Sequence, residues 1–219
     1  ADPFSEGMAL FEQGQLQEAI LAFEAVISND ATNSDGWRML GQSHAEHDED
    51  MKAIQCLERA VEEDPYNLPA LMALGVSYVN ELDSQRALRT LKAWVEKKPK
   101  FQGMEIKQDE YSDGTLMDEV TQLMLTAAQW EQGDADVQIV LGVLYNVSRD
   151  YDRAAECLRR AAEISPSDYS IWNKLGATQV WECCASWKSR LNSVLAQQAN
   201  GSKSEEALPA YHKALELKP

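Results

Sequence analysis

One spacing, 34 residues, runs through this chain and limits its possible folds more than any other feature. Trp37, Leu40, Gly41 and His44 are followed by Ala53, Leu57, Ala60 and Pro65. At an offset of 34 the pattern returns as Leu71, Leu74, Gly75, Tyr78, Ala87, Leu91, Trp94 and Pro99. A later copy reads Leu141, Gly142, Tyr145, Ala154, Leu158, Ala161 and Pro166, and the next opens with Trp172, Leu175 and Gly176. Upstream, Gly7, Leu10, Ala19, Phe23 and Val26 form a copy without the aromatic and the proline. A unit this short cannot bury an apolar face alone, so its copies must stack.

The chemistry of the recurring positions says what stacks. Small residues (Gly41, Ala53, Ala60 and their copies) fall where two helices approach closely, and large ones fill the holes beside them. Each proline lacks an N–H and stops the second helix of its unit. Phrases such as NVSRDYDRAAECL join polar turn residues to an apolar stripe of helical period. This is the tetratricopeptide pattern, and it predicts an all-α solenoid of helix-turn-helix repeats. Residues 1–99 hold repeats one to three, and residues 134–219 hold repeats five and six. Between them, residues 100–133 form a degenerate fourth repeat that could serve as a hinge. Its first half, KFQGMEIKQDEYSDG, is polar with two glycines, and only LMDEVTQLMLTAAQW reads as a helix.

Charge and composition exclude several functions. A net charge of −16 argues against a nucleic-acid phosphate backbone as partner and is compatible with a basic or mixed-charge peptide. No apolar run approaches the ~20 residues of a membrane helix. The N-terminus, ADPFSEGMALF, has no signal-peptide pattern. It also lacks an initiator Met, and the chain stops at LELKP, so the sequence reads as a fragment. Cys56, Cys157, Cys183 and Cys184 show no metal spacing with the histidines, and reduced thiols are expected. No nucleophile–base set, phosphate-binding Gly loop or metal signature appears, so neither enzyme activity nor a cofactor or metal is expected. His44, at the aromatic position of its repeat, is expected to pack between helices.

First helices line the concave face of such a solenoid, and here they carry Asn80, Asn146, Asn173 and Lys174. An Asn amide can both donate to and accept from an extended peptide backbone, and a Lys can meet a carboxylate. Near a helix end, Asn also serves as a cap or turn residue. The segments PFSEGMALFEQGQLQEAILAFEA, ALMALGVSYVNE, LGVLYNVSRDYDRAAECL, DYSIWNKLGAT and ANGSKSEEALPAYHKALELKP resemble the repeat region of peroxisomal import receptors. These receptors recognise matrix proteins ending in Ser-Lys-Leu and related tripeptides.

The resemblance implies that Asn80, Asn146, Asn173, Lys174 and Asn200 form the signal site, a case of C-terminal carboxylate capture. It implies a further contact at His47, where relatives often carry Asn. It also implies a cytoplasmic protein cycling to the peroxisomal membrane, whose docking partners bind an N-terminal region outside this sequence. The seventh repeat of such receptors is likewise not in this sequence. The alternative is a generic co-chaperone or scaffold. A co-chaperone clamp would need Lys and Asn four residues apart in a first helix. The pairs here are Phe4 and Met8, Arg38 and Gln42, and Met72 and Val76.

One stretch breaks the spacing. After Pro166 the next repeat proline is Pro219, and joining Gln179 to Ala199 restores an unbroken repeat, LGATQANGSKSEEAL. The intervening VWECCASWKSRLNSVLAQQ (residues 180–198) interrupts a first helix near its end and separates Asn200 from Asn173. It reads as an intron retained in the coding sequence: Val codons begin with GT, a Gln codon can end in AG, and its removal keeps the reading frame. As part of the protein, it would protrude as a poorly ordered loop; helical spacing of Trp187, Leu191, Val194 and Leu195 gives a helix as the other form. Sequencing of the messenger RNA is expected to find transcripts without this segment. Its presence in every transcript would make it a true insertion.

Overall fold

The computed structural model describes residues 2–104, 114–191, 209, 212 and 213, with the backbone alone for 181–191. Among these residues the chain is helical with no strand. The helices are α1 (Pro3–Glu12), α2 (Leu16–Asn29), α3 (Ser34–Glu46), α4 (Asp50–Glu63), α5 (Leu68–Asn80) and α6 (Ser84–Lys97). They continue with α7 (Leu116–Trp130), α8 (Ala135–Val147), α9 (Tyr151–Ile164) and α10 (Tyr169–Leu191), and a 3₁₀ turn spans Pro99–Phe101. The chain divides into two compact units, residues 1–126 and 127–219.

Helix starts follow from local chemistry. Asp2, Asn33, Asn67, Asp83, Asp134 and Asp150 each accept backbone N–H groups of the first turn that would otherwise lack partners. Within a repeat the two helices are joined by a residue in the left-handed region: Gly14, Asp48, Leu82 and Arg149, with φ of 75°, 61°, 60° and 62°. Three of these four lack the freedom of glycine, so the turn is imposed by the packing it connects.

In the first unit, α1, α3 and α5 form one layer and α2, α4 and α6 the other. Each helix packs on the next in sequence, and α3 also touches α1 and α5. First and second helices meet over glycine: a Cβ on Gly75 would lie 2.5 Å from Leu91 Cδ2, and one on Gly41 2.7 Å from Leu57 Cγ. Trp94, Phe23, Leu57 and Leu91 are the largest fully buried side chains of this unit. In the second unit α8 packs on α9 and α9 on α10, with Gly142 against Leu158 in the same way.

A polar lock recurs beside these contacts, at the aromatic position of α3, α5 and α8. Tyr78 OH donates to Glu58 Oε1 at 2.5 Å, and the Arg86 guanidinium lies 4.5 Å from the Tyr78 ring centroid while its Nε donates to Asp83. Arg153 stands over Tyr145 and pairs with Asp150 in the corresponding repeat. In repeat two the set is His44, Glu49 and Lys52, with His44 buried and its Nδ1 2.6 Å from Glu49 Oε2. His44 therefore packs between helices as the repeat pattern predicts, and it also ties the turn to α4.

The expectation of a loop at residues 180–198 needs correction. α10 does not stop where the other first helices do but continues to Leu191. Nothing between Ala177 and Leu191 is Gly or Pro, so no residue there ends the helix. The remainder, 192–198, lies outside the described residues.

Two outcomes follow. Gly75→Ala should lower unfolding free energy by ~1–3 kcal/mol, because Leu91 sits where the new methyl must go. Leu82→Gly should raise it by up to ~1 kcal/mol, the relief of a left-handed Leu outweighing the entropy of Gly. Urea titration followed by helical circular dichroism measures both.

Candidate peptide-binding site

The residues singled out from the sequence stand near the carboxyl ends of first helices, or early in α10. In the first unit these are Asn80 and His47. Asn80 is the last residue of α5, two before the left-handed Leu82, and its exposed amide makes no side-chain hydrogen bond among the described residues. His47 caps α3. Its Nε2 lies 3.4 Å from Gln17 Nε2 of α2, while its Nδ1 is buried with no partner among the described residues.

In the second unit the structure brings Asn146, Thr178 and Lys174 together. Asn146 Nδ2 donates to Thr178 Oγ1 at 2.9 Å, bridging α8 to α10. The Thr178 hydroxyl donates in turn to the Lys174 carbonyl at 2.9 Å, and Lys174 Nζ donates to Ser170 Oγ at 2.6 Å. Ser170, Lys174 and Thr178, four residues apart, thus form one stripe of α10. The amide oxygen of Asn146, Oδ1, is buried and has no partner among the described residues, and an unmet buried acceptor costs ~1–3 kcal/mol. Asn173, beside Lys174, is exposed with no hydrogen bond from its amide among the described residues. Asn200 lies outside the described residues.

Sequence reading missed Thr178. It is 1 % exposed, and a hydroxyl so buried must serve a partner. Its position after LGA in the repeat was the available signal, but the partner is 32 residues away, so no local spacing announces it. Gln138 and Gln179 were missed as well; both are buried, and neither Oε1 has a partner among the described residues. Gln179 stands at the position of Tyr78 and Tyr145.

Covalent chemistry finds no support in the described cysteines. Burial pushes the thiols of Cys56 and Cys157 up to about 11, so neither is a thiolate near neutral pH. Among the described residues no group of three or more His, Cys, Asp or Glu is placed to hold a metal ion.

Models of the tetratricopeptide repeat match residues 4–68 and 135–168. The chain is 38% identical to the peroxisomal targeting signal 1 receptor of Dictyostelium discoideum, across 96% of this chain and 31% of that protein. It is 44% identical to peroxisome biogenesis protein 5 of Arabidopsis thaliana, across 70% of this chain and 21% of that protein. The chain therefore spans less than a third of the length of these curated relatives. A thermophilic TPR protein of Thermus thermophilus shares the fold, with a TM-score of 0.51 at 14% identity over 98% of this chain and 97% of that one.

The buried thiols give a chemical check. In the native protein at pH 8, Cys56 and Cys157 should resist iodoacetamide for hours and react within minutes in urea, the modified residues being identified by mass spectrometry. Rapid native labelling of either would contradict its burial.

Proposed function

This chain is a tetratricopeptide-repeat solenoid similar along its length to peroxisomal targeting signal receptors, and on that premise we propose that it is their cargo-binding part. It acts by binding and not by catalysis. Its ligand is the C-terminus of peroxisomal matrix proteins ending in Ser-Lys-Leu or a related tripeptide. Asn80, Asn146, Asn173, Lys174 and Asn200 hold the peptide backbone and its terminal carboxylate, with His47 as a further contact. Residues 100–133 hinge repeats one to three against repeats five and six. The whole receptor works in the cytoplasm and cycles to the peroxisomal membrane, where its N-terminal region meets docking proteins. No described helix is long and apolar enough to cross a membrane.

The observation that carries this reading is the state of Asn146. Its Nδ2 is committed to Thr178, so the amide cannot turn without losing that bond, and its buried Oδ1 has no donor among the described residues. A peptide N–H satisfies that atom. Lys174, half-buried in the adjoining stripe, supplies the positive charge that a terminal carboxylate requires.

Titration of the full-length protein with a fluorescent peptide ending in Ser-Lys-Leu tests the proposal, with the C-terminal amide as control. The free acid should bind at least ~10-fold tighter, as a charge-assisted contact implies. Equal binding would remove carboxylate capture. Asn173→Ala should cost ~1–3 kcal/mol of binding, and Thr178→Val should cost about as much by releasing Asn146, both with helix content unchanged.

A further inference from the structure

The first helices of this chain are almost devoid of positive charge. In α1, α3, α5, α8 and residues 169–179 of α10 there is one Arg, Arg38, and one Lys, Lys174; every other Lys and Arg before residue 180 lies on a second helix or a connection. In a chain of net charge −16, a lone guanidinium on this layer stands out against its surroundings. Positions matching Arg38 in the neighbouring repeats hold Phe4 and Met72, so packing of the repeat does not ask for a cation there.

Its setting resembles a binding group more than a surface ion pair. The side chain is only 18% exposed. Nε donates to Asp35 Oδ1 at 3.0 Å, and Nη1 donates to Gln42 Oε1 and to Met39 Sδ, both at 3.1 Å. These contacts fix the plane of the guanidinium, while Nη2 has no acceptor among the described residues. Asp35, its ion-pair partner, has a side chain 62% exposed and also accepts from Asn67 Nδ2, so solvent and a second donor share that carboxylate. Asp35, Arg38 and Gln42 share a stripe of α3, and Gly36 faces α2. The guanidinium is thus preoriented and partly desolvated, the condition in which a carboxylate gains most from it.

We propose that Arg38 is a second anion-recognising residue, which takes the carboxylate of an acidic side chain in the cargo segment preceding the C-terminal tripeptide. This rests on the cargo-binding reading above and adds a preference that the terminal carboxylate cannot supply. The net acidity of the protein would otherwise disfavour such cargo at every position.

The test uses the full-length protein and fluorescent peptides ending in Ser-Lys-Leu. The upstream residues are Gln throughout or carry a single Glu at each of the five preceding positions. At one position the Glu peptide should bind about tenfold tighter than the Gln peptide, with the preference falling as salt is raised. Arg38→Gln should bring that ratio to one, Arg38→Lys should keep part of it, and Arg38→Glu should reverse it in favour of a Lys peptide. The inference is overturned by binding without a Glu preference at any position, or by a preference that Arg38→Gln leaves intact. Failure of every Ser-Lys-Leu peptide to bind wild type would instead overturn the cargo-binding reading, and this inference with it.

Discussion

The close approach of glycine on α3, α5 and α8 to leucine on the helix that follows is the constraint on which the remaining structure depends. At Gly41, Gly75 and Gly142 a Cβ would stand 2.7, 2.5 and 2.8 Å from Leu57, Leu91 and Leu158. Interiors packed at crystal-like density have no room for that methyl. The contact therefore fixes the separation of the two helices, and with it which face of each first helix turns outward. Asn80, Asn146 and Arg38 owe their positions to this spacing as much as to their own chemistry.

The polar locks act on the same geometry from the turn side. Tyr78 with Asp83 and Arg86, Tyr145 with Asp150 and Arg153, and His44 with Glu49 and Lys52 each connect the end of a first helix to the start of the second. Glu58 extends the first of these into the preceding repeat through its bond from Tyr78. The outcome is a short turn held in the left-handed region even at Asp48, Leu82 and Arg149. The candidate residues Asn80, His47 and Asn146 sit near these turns, and a site held rigid in this way would lose less entropy on binding.

Charge and amide chemistry are divided in a way that suits peptide recognition. Second helices carry most of the basic residues, where they pair with acidic neighbours such as Glu62, Glu63 and Glu156. Before residue 180, first helices hold amides, hydroxyls and two permanent cations. Under the proposed function, amides would serve any peptide backbone, whereas Lys174 and Arg38 would discriminate by charge.

The sequence by itself determined the architecture. Spacing, small-residue positions and closing prolines are local features repeated many times, and each copy reinforces the same helix-turn-helix answer. It also offered Asn80, Asn146, Asn173 and Lys174 as candidates, through their place on first helices and the resemblance of the segments around them. Only the tertiary structure decided that Asn146 is fixed by Thr178 with an acceptor to spare, and that α10 runs on to Leu191 where the repeat register asked for a turn. The physical reason is range. Helix start, stop and period are written within a few residues, but a hydrogen bond between neighbouring repeats joins atoms some thirty residues apart, and burial of Thr178 exists only once α10 lies beside α8.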